Sequence, residues 1–141
     1  MDRLLDRGAS GPLYLRRQEI AELVVGALED GERRFNRYQL HAYVVMPNHV
    51  HLLATPKVVA RQWLAPLKGF IAHRANELLG RRGRAFWQDE SYDHLVRSGG
   101  QFERIRSYVE SNPVTAGLVA EAQQYPWSSA TGRLKGGCGQ D

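Results

Sequence analysis

Two histidines one residue apart, His49 and His51, are where chemistry is most concentrated in the sequence. In a β-strand alternate side chains share a face, so the two imidazoles converge while Val50 and Leu52 turn to the opposite, core-facing side. Met46-Pro47-Asn48 immediately before them supplies a turn, which holds the pair near the end of a hairpin. A His-x-His pair suits a divalent metal and equally describes two half-exposed strand histidines, so a third ligand has to separate the readings. A later helix offers one. At 100° per residue Phe102, Ile105 and Val109 form its buried stripe, Tyr108 and Asn112 stand one turn apart beside it, and Arg104 lies a turn before. Tyr108 is then either a nucleophile with an amide one turn away or a core-edge tyrosine sending its hydroxyl to water beside a C-capping asparagine. Spacing leaves both open.

The other titratable candidates read more simply. His41 lies on the partner strand, where its face depends on hairpin register, and takes a structural role; His73 and His94 read as surface or core-edge residues. The single cysteine, Cys138, has no second thiol, which excludes a disulfide framework or a cysteine zinc site within one chain. Of the 19 cationic residues 16 are arginine, and the guanidinium fork matches phosphate oxygens, so an anionic partner is plausible despite a net charge of only +4. Arg81, Arg82 and Arg84, with Lys68, Arg97 and Arg104, are the candidate phosphate contacts, and Trp87 or Tyr92 is placed to stack on an unpaired base. Trp87 suits the core equally well.

The elements that must carry these residues follow from periodicity. Ile20, Leu23, Val24, Ala27 and Leu28 recur three and four apart over 17–32, which predicts an amphipathic helix. The β-branched and aromatic runs 38–46 and 49–55 read as the two strands of a hairpin. A second helix fits Trp63 to Leu79, with Pro66 forcing a kink or a start, and ends at Gly80. A short strand is expected around 92–97, then a helix from about Gln101 that stops at Asn112-Pro113, then a loosely held tail after Thr131. No apolar run is long enough to span a bilayer and charges interrupt the first residues, so a soluble, cytoplasmic domain is expected. At 141 residues one domain accounts for the chain, over 1–130.

Several motifs occur in one order: His41-Ala42-Tyr43-Val44-Val45-Met46-Pro47-Asn48-His49-Val50-His51-Leu52-Leu53, Leu67-Lys68-Gly69, Phe86-Trp87-Gln88, and Tyr92-Asp93-His94 with Arg97. Tyr108 through Asn112-Pro113-Val114, Ala116-Gly117-Leu118-Val119 and Tyr125-Pro126-Trp127-Ser128-Ser129 complete the set. Together they resemble the REP-associated tyrosine transposases, members of the HUH single-tyrosine transposase superfamily. The resemblance implies His49 and His51 as metal ligands with Asn112, Tyr108 as nucleophile, and Mg²⁺ or Mn²⁺ as cofactor. It implies metal-dependent cleavage of single-stranded or hairpin DNA and strand transfer through a 5′-phosphotyrosine, by a monomer or homodimer. The fold implied is an α+β ferredoxin-like antiparallel sheet with helices on one face. Relatives begin with a strand of the type Tyr-x-Val-Thr that has no equivalent here, so the sheet is expected to lack its first strand. A non-catalytic nucleic-acid-binding remnant of a transposase is the alternative, and a small zinc hydrolase built on His49 and His51 a third.

Overall fold

The computed structural model describes residues 13–87 and 102–132. A 3-10 turn at Tyr14–Arg16 leads into helix α1, Gln18–Arg33. Strands β1, Tyr38–Met46, and β2, His49–Pro56, form an antiparallel pair and are followed by helix α2, Ala60–Leu79. Helix α3, Phe102–Thr115, and two 3-10 turns, Ala122–Gln124 and Ser129–Thr131, complete the described chain. The class is α+β, and the sheet among the described residues is this two-stranded hairpin. The short strand expected around 92–97, the segment before Leu13 and the tail after Gly132 lie outside the described residues.

Each element forms where its apolar spacing demands. Ile20, Val24 and Leu28 are fully buried at intervals of four along α1, and Val25, Ala21 and Ala27 widen the stripe. The helix approaches the hairpin closely because Gly31 has no side chain: a Cβ there would fall on the Tyr38 hydroxyl, which donates to the Leu28 carbonyl at 2.7 Å. Between the strands Pro47 and Asn48 make a two-residue turn, and Met46 pairs with His49, Val44 with His51. The register shifts between Leu40 and Ala42, so His41 is the extra residue of a bulge. Its ring bonds Thr55 Oγ1 at 2.8 Å and meets Phe102 edge-on at 4.9 Å, which is the structural role expected of it.

Of the two alternatives at Pro66, the helix start is corrected: helix α2 begins at Ala60 and runs through Pro66 to Leu79, and it ends as expected at Gly80, whose left-handed φ of 70° lets its N–H close on the Asn76 and Glu77 carbonyls. Helix α3 does not stop at Asn112-Pro113 but continues to Thr115 and ends through Gly117 at φ 79°. A residue before proline is biased away from helical geometry, yet Val109, Asn112 and Pro113 are all buried, and their packing outweighs that local bias.

The hairpin is apolar on both faces, and this decides the layering. Tyr43, Val45, Val50 and Leu52 pack with α1 and with Trp63, Ile71 and Ala75 of α2. Ala42, Val44, Met46 and Leu53, on the other face, pack with Val109 of α3 and with Tyr125. Helices therefore cover both faces, where one covered face was expected. A sheet this short with two apolar faces exposes too much surface unless both are covered.

Candidate metal and nucleophile site

His49 and His51 occupy the face of β2 covered by α3, and both are buried, 4% and 1% exposed, not half-exposed. Their rings stand perpendicular with centroids 4.7 Å apart, and the two Nε2 atoms are 3.0 Å from each other. His49 Nδ1 lies 2.9 Å from Asn48 Oδ1. An amide oxygen can only accept, so Nδ1 carries a proton, and in the neutral ring His49 Nε2 then accepts from His51 Nε2 and is the nitrogen left for a metal. The spacing suits a shared cation. Two nitrogens about 2.1 Å from one ion sit about 3.0 Å apart at adjacent octahedral corners and about 3.4 Å apart at tetrahedral ones.

Tyr108 and Asn112 are both on α3, one turn apart. The Tyr108 ring meets the His51 ring at 5.9 Å between centroids and 77° between planes, so the helix brings the phenol to the histidine face. Asn112 is 1% exposed; its Nδ2 donates to the Tyr108 carbonyl at 3.3 Å, while Oδ1 is buried with no hydrogen-bond partner among the described residues. A buried acceptor left without a donor costs about 1–3 kcal/mol, and a cation would repay it. Among the described residues no cluster of three His, Cys, Asp or Glu side chains could hold a metal. An ion on this histidine pair would thus complete its shell with amide, water or substrate oxygens, a hard set that suits Mg²⁺ or Mn²⁺.

The family described as "Transposase IS200 like" matches residues 17–112, a span that takes in both histidines, Tyr108 and Asn112. The chain belongs to the IS200-like transposase family. It is also similar to the REP-associated tyrosine transposase of Escherichia coli strain K12, at 24% identity over 101 residues, covering 69% of this chain and 57% of that protein. The chain thus spans little more than half the length of that relative. No solved structure matches.

In this member of the IS200-like family the cationic candidates do not gather at the histidines. Lys68 stands over the Trp87 ring at 5.7 Å, and Trp87 Nε1 donates to the Lys68 carbonyl at 2.9 Å. Arg81 lies on the Tyr14 ring at 4.7 Å, with its Nη1 buried. Arg82 is 80% exposed near Glu77, at 3.7 Å, and Arg84 is exposed. These four belong to α2 and the segment after it, in the layer on the far side of the hairpin from the histidines. Arg104 is exposed on α3, the helix of Tyr108. Trp87 is packed against the core, and His73 is a surface residue beside Glu77. Arg97, Tyr92 and His94 lie outside the described residues.

Three features escaped the sequence reading. Asn48 orients His49, which the Asn-His adjacency signalled. A cleft of about 320 Å³ opens between the end of α1 and the start of α2, lined by Trp63, Phe35 and Phe70 together with Asp30, Arg34 and Arg37. Phe35 and Phe70 are exposed, and Trp63 Nε1 is buried without an acceptor among the described residues. The third is Glu110, whose carboxylate accepts a 2.7 Å bond from Ser129. Neither the cleft nor that bond had a sequence signal, because each joins segments that are distant in the chain.

Proposed function

We propose that this chain cuts single-stranded DNA at hairpin-forming repeats and transfers the cut strand, with Tyr108 as nucleophile and Mg²⁺ or Mn²⁺ held by His49, His51 and Asn112. The observation that carries the reading is the Tyr108 ring set against His51, whose Nε2 converges with that of His49. When bound, the ion would polarise the scissile phosphate and stabilise charge developing on its oxygens. Asn48 keeps His49 in the tautomer that presents Nε2. Helix α3 holds the phenol beside the pair before substrate arrives, so little ordering is left to the reaction itself.

The exchange balances without a co-reactant. Tyr108 Oη bonds to phosphorus, the bond from phosphorus to the 3′ oxygen breaks, the phenolic proton passes to solvent and the departing oxygen takes one up. The products are a 5′-phosphotyrosine and a free 3′-hydroxyl. One phosphate ester replaces another, so a second 3′-hydroxyl can reverse the exchange and regenerate the phenol without ATP. Arg104, on the same helix, would meet phosphates near the cut. Lys68, Arg81, Arg82 and Arg84 would hold DNA farther away, Arg81 by giving up its place on Tyr14. The cleft of Trp63, Phe35 and Phe70 suits an unpaired base, with Arg34 and Arg37 for its phosphate.

The test incubates the protein with Mn²⁺ and a single strand carrying a hairpin, and looks for a covalent adduct on a denaturing gel. The wild type should form one, Tyr108→Phe should form none while binding the hairpin within about twofold, and chelation or His49→Ala should also abolish it. Hairpin binding without any adduct would make the chain a binding module. An adduct surviving Tyr108→Phe would move the nucleophile elsewhere.

A further inference from the structure

The contacts that seat α3 on the hairpin are mostly apolar: Val109, with Ile105, Phe102 and Tyr108 at its edges, against Ala42, Val44, Met46 and Leu53. Apolar contact is non-directional and leaves a helix free to roll by some degrees about its own axis. A directional tie exists on the other side of the same helix. Glu110 is two residues from Tyr108, about 200° around the helix, and its Oε2 accepts from Ser129 Oγ at 2.7 Å. Arg106, one turn earlier, brings its Nε to 3.8 Å from that oxygen.

Ser129 is buried and is itself bound to the sheet. The Tyr43 N–H donates to its Oγ at 3.0 Å. The Tyr43 carbonyl lies at 3.3 Å, but a hydroxyl has one proton and the carboxylate at 2.7 Å is the stronger acceptor. The flanking chain is laced along the same strand edge: Val45 N–H donates to the Trp127 carbonyl at 2.8 Å, the Tyr125 hydroxyl to the Val45 carbonyl at 2.7 Å, and Ser128 bridges Val44. Val44 is the residue that pairs with His51 across the hairpin. A continuous set of directional bonds therefore runs from the histidine's partner strand through Ser129 to Glu110.

We propose that Glu110 and Ser129 are positioning residues whose bond sets the roll of α3 and thereby seats the Tyr108 ring on His51. Its catalytic consequence rests on the reading of Tyr108 as nucleophile; the seating itself does not. A part-buried carboxylate–hydroxyl bond of 2.7 Å is short and directional, and loss of it releases the helix edge opposite Tyr108, so the phenol drifts from the histidines while the apolar contacts keep the helix docked.

The experiment compares wild type, Ser129→Ala, Ser129→Thr and Glu110→Ala, first without DNA or metal. The wild type should show ring-to-ring nuclear Overhauser contacts between Tyr108 and His51. Ser129→Ala and Glu110→Ala should lose at least three-quarters of that intensity, and Ser129→Thr, which keeps the hydroxyl, should recover it. Glu110→Ala cuts the tie from the helix side and leaves the Tyr43 bond to Ser129 intact, which keeps the question open to an answer if Ser129→Ala does not fold. In the adduct assay the folded variants should react at least tenfold more slowly while binding hairpin DNA within twofold of wild type. Ring contacts unchanged in both cut variants would overturn the proposal whatever the chain catalyses. So would lost ring contacts with an unchanged adduct rate. If the wild type forms no adduct, the nucleophile reading fails on its own and the ring contacts still decide the positioning role.

Discussion

His49 Nε2 lies 3.0 Å from His51 Nε2 with the two rings perpendicular, and Asn48 Oδ1 accepts a hydrogen bond from Nδ1–H on the far side of His49. The two imidazoles on one buried strand face thus bring their Nε2 atoms within hydrogen-bond distance of each other, and a neighbouring amide orients His49. Losing an outer partner of this kind typically weakens a metal site by about 10–100-fold. We expect Asn48→Ala to weaken Mn²⁺ binding, measured by titration calorimetry on the DNA-free protein, by about tenfold or more. Asn48→Asp should hold or raise the affinity. Equal affinities for wild type and Asn48→Ala would remove Asn48 from the site.

Asn112 separates a metal role from a packing role. Its Oδ1 is buried without a hydrogen bond among the described residues, and its Nδ2 bond to Tyr108 is long. Asn112→Leu keeps the γ-branched shape and removes the orphaned acceptor, so the metal-free protein should melt within a few degrees of wild type or higher. Mn²⁺ should bind at least tenfold more weakly. A variant that melts much lower and keeps its Mn²⁺ affinity would show that the amide serves packing alone.

Alkaline pH should loosen the edge that holds α3. Burial pushes the Tyr125 phenol up to about 12, and burial together with Glu32 and Asp30 raises that of Tyr38 as well. The folded chain keeps these protons where the unfolded chain, titrating near 10, has lost them. Their contribution is complete below pH about 10 and is lost as pH climbs towards 12, so unfolding free energy should fall across that window, by roughly 2 kcal/mol for Tyr125. Tyr125→Phe should cost about 1 kcal/mol at neutral pH through the lost bond to Val45 and flatten part of the alkaline slope. Parallel urea-unfolding profiles for the two proteins would count against this.

The cleft between α1 and α2 should matter for DNA and not for the fold. Phe70, 49% exposed, and Arg37 both line it. Stacking of a base on an aromatic ring is worth about 1–3 kcal/mol, so Phe70→Ala should weaken binding of unpaired DNA by roughly 5–150-fold. Arg37→Ala should weaken it less and reduce the salt dependence by about one phosphate contact. Fluorescence anisotropy with a single strand and with a blunt duplex would check both. Unchanged affinities would leave the cleft without a nucleic-acid role.

The residues with local logic were legible in the sequence. The stripe Ile20, Val24, Leu28 specified α1, strand alternation put His49 and His51 on one face opposite Val50 and Leu52, and helical spacing put Tyr108 and Asn112 a turn apart. Such patterns repeat within a few residues, so the geometry of one element determines them. Where local rules were applied at element ends they failed: Pro113 was expected to stop a helix whose buried side carries it on to Thr115.

Relations between elements belonged to the tertiary structure. Only packing showed that α3 covers the hairpin face opposite α1, burying the histidines and bringing Tyr108 to His51. Only packing sent Lys68, Arg81, Arg82 and Arg84 to the other layer, and tied Ser129 to Glu110, 19 positions earlier in the chain. The physical reason is that an apolar stripe states that a face is buried without naming its partner. The partner is chosen by the mutual burial of surfaces from distant parts of the chain, and hydrogen bonds formed after that docking set the final angle.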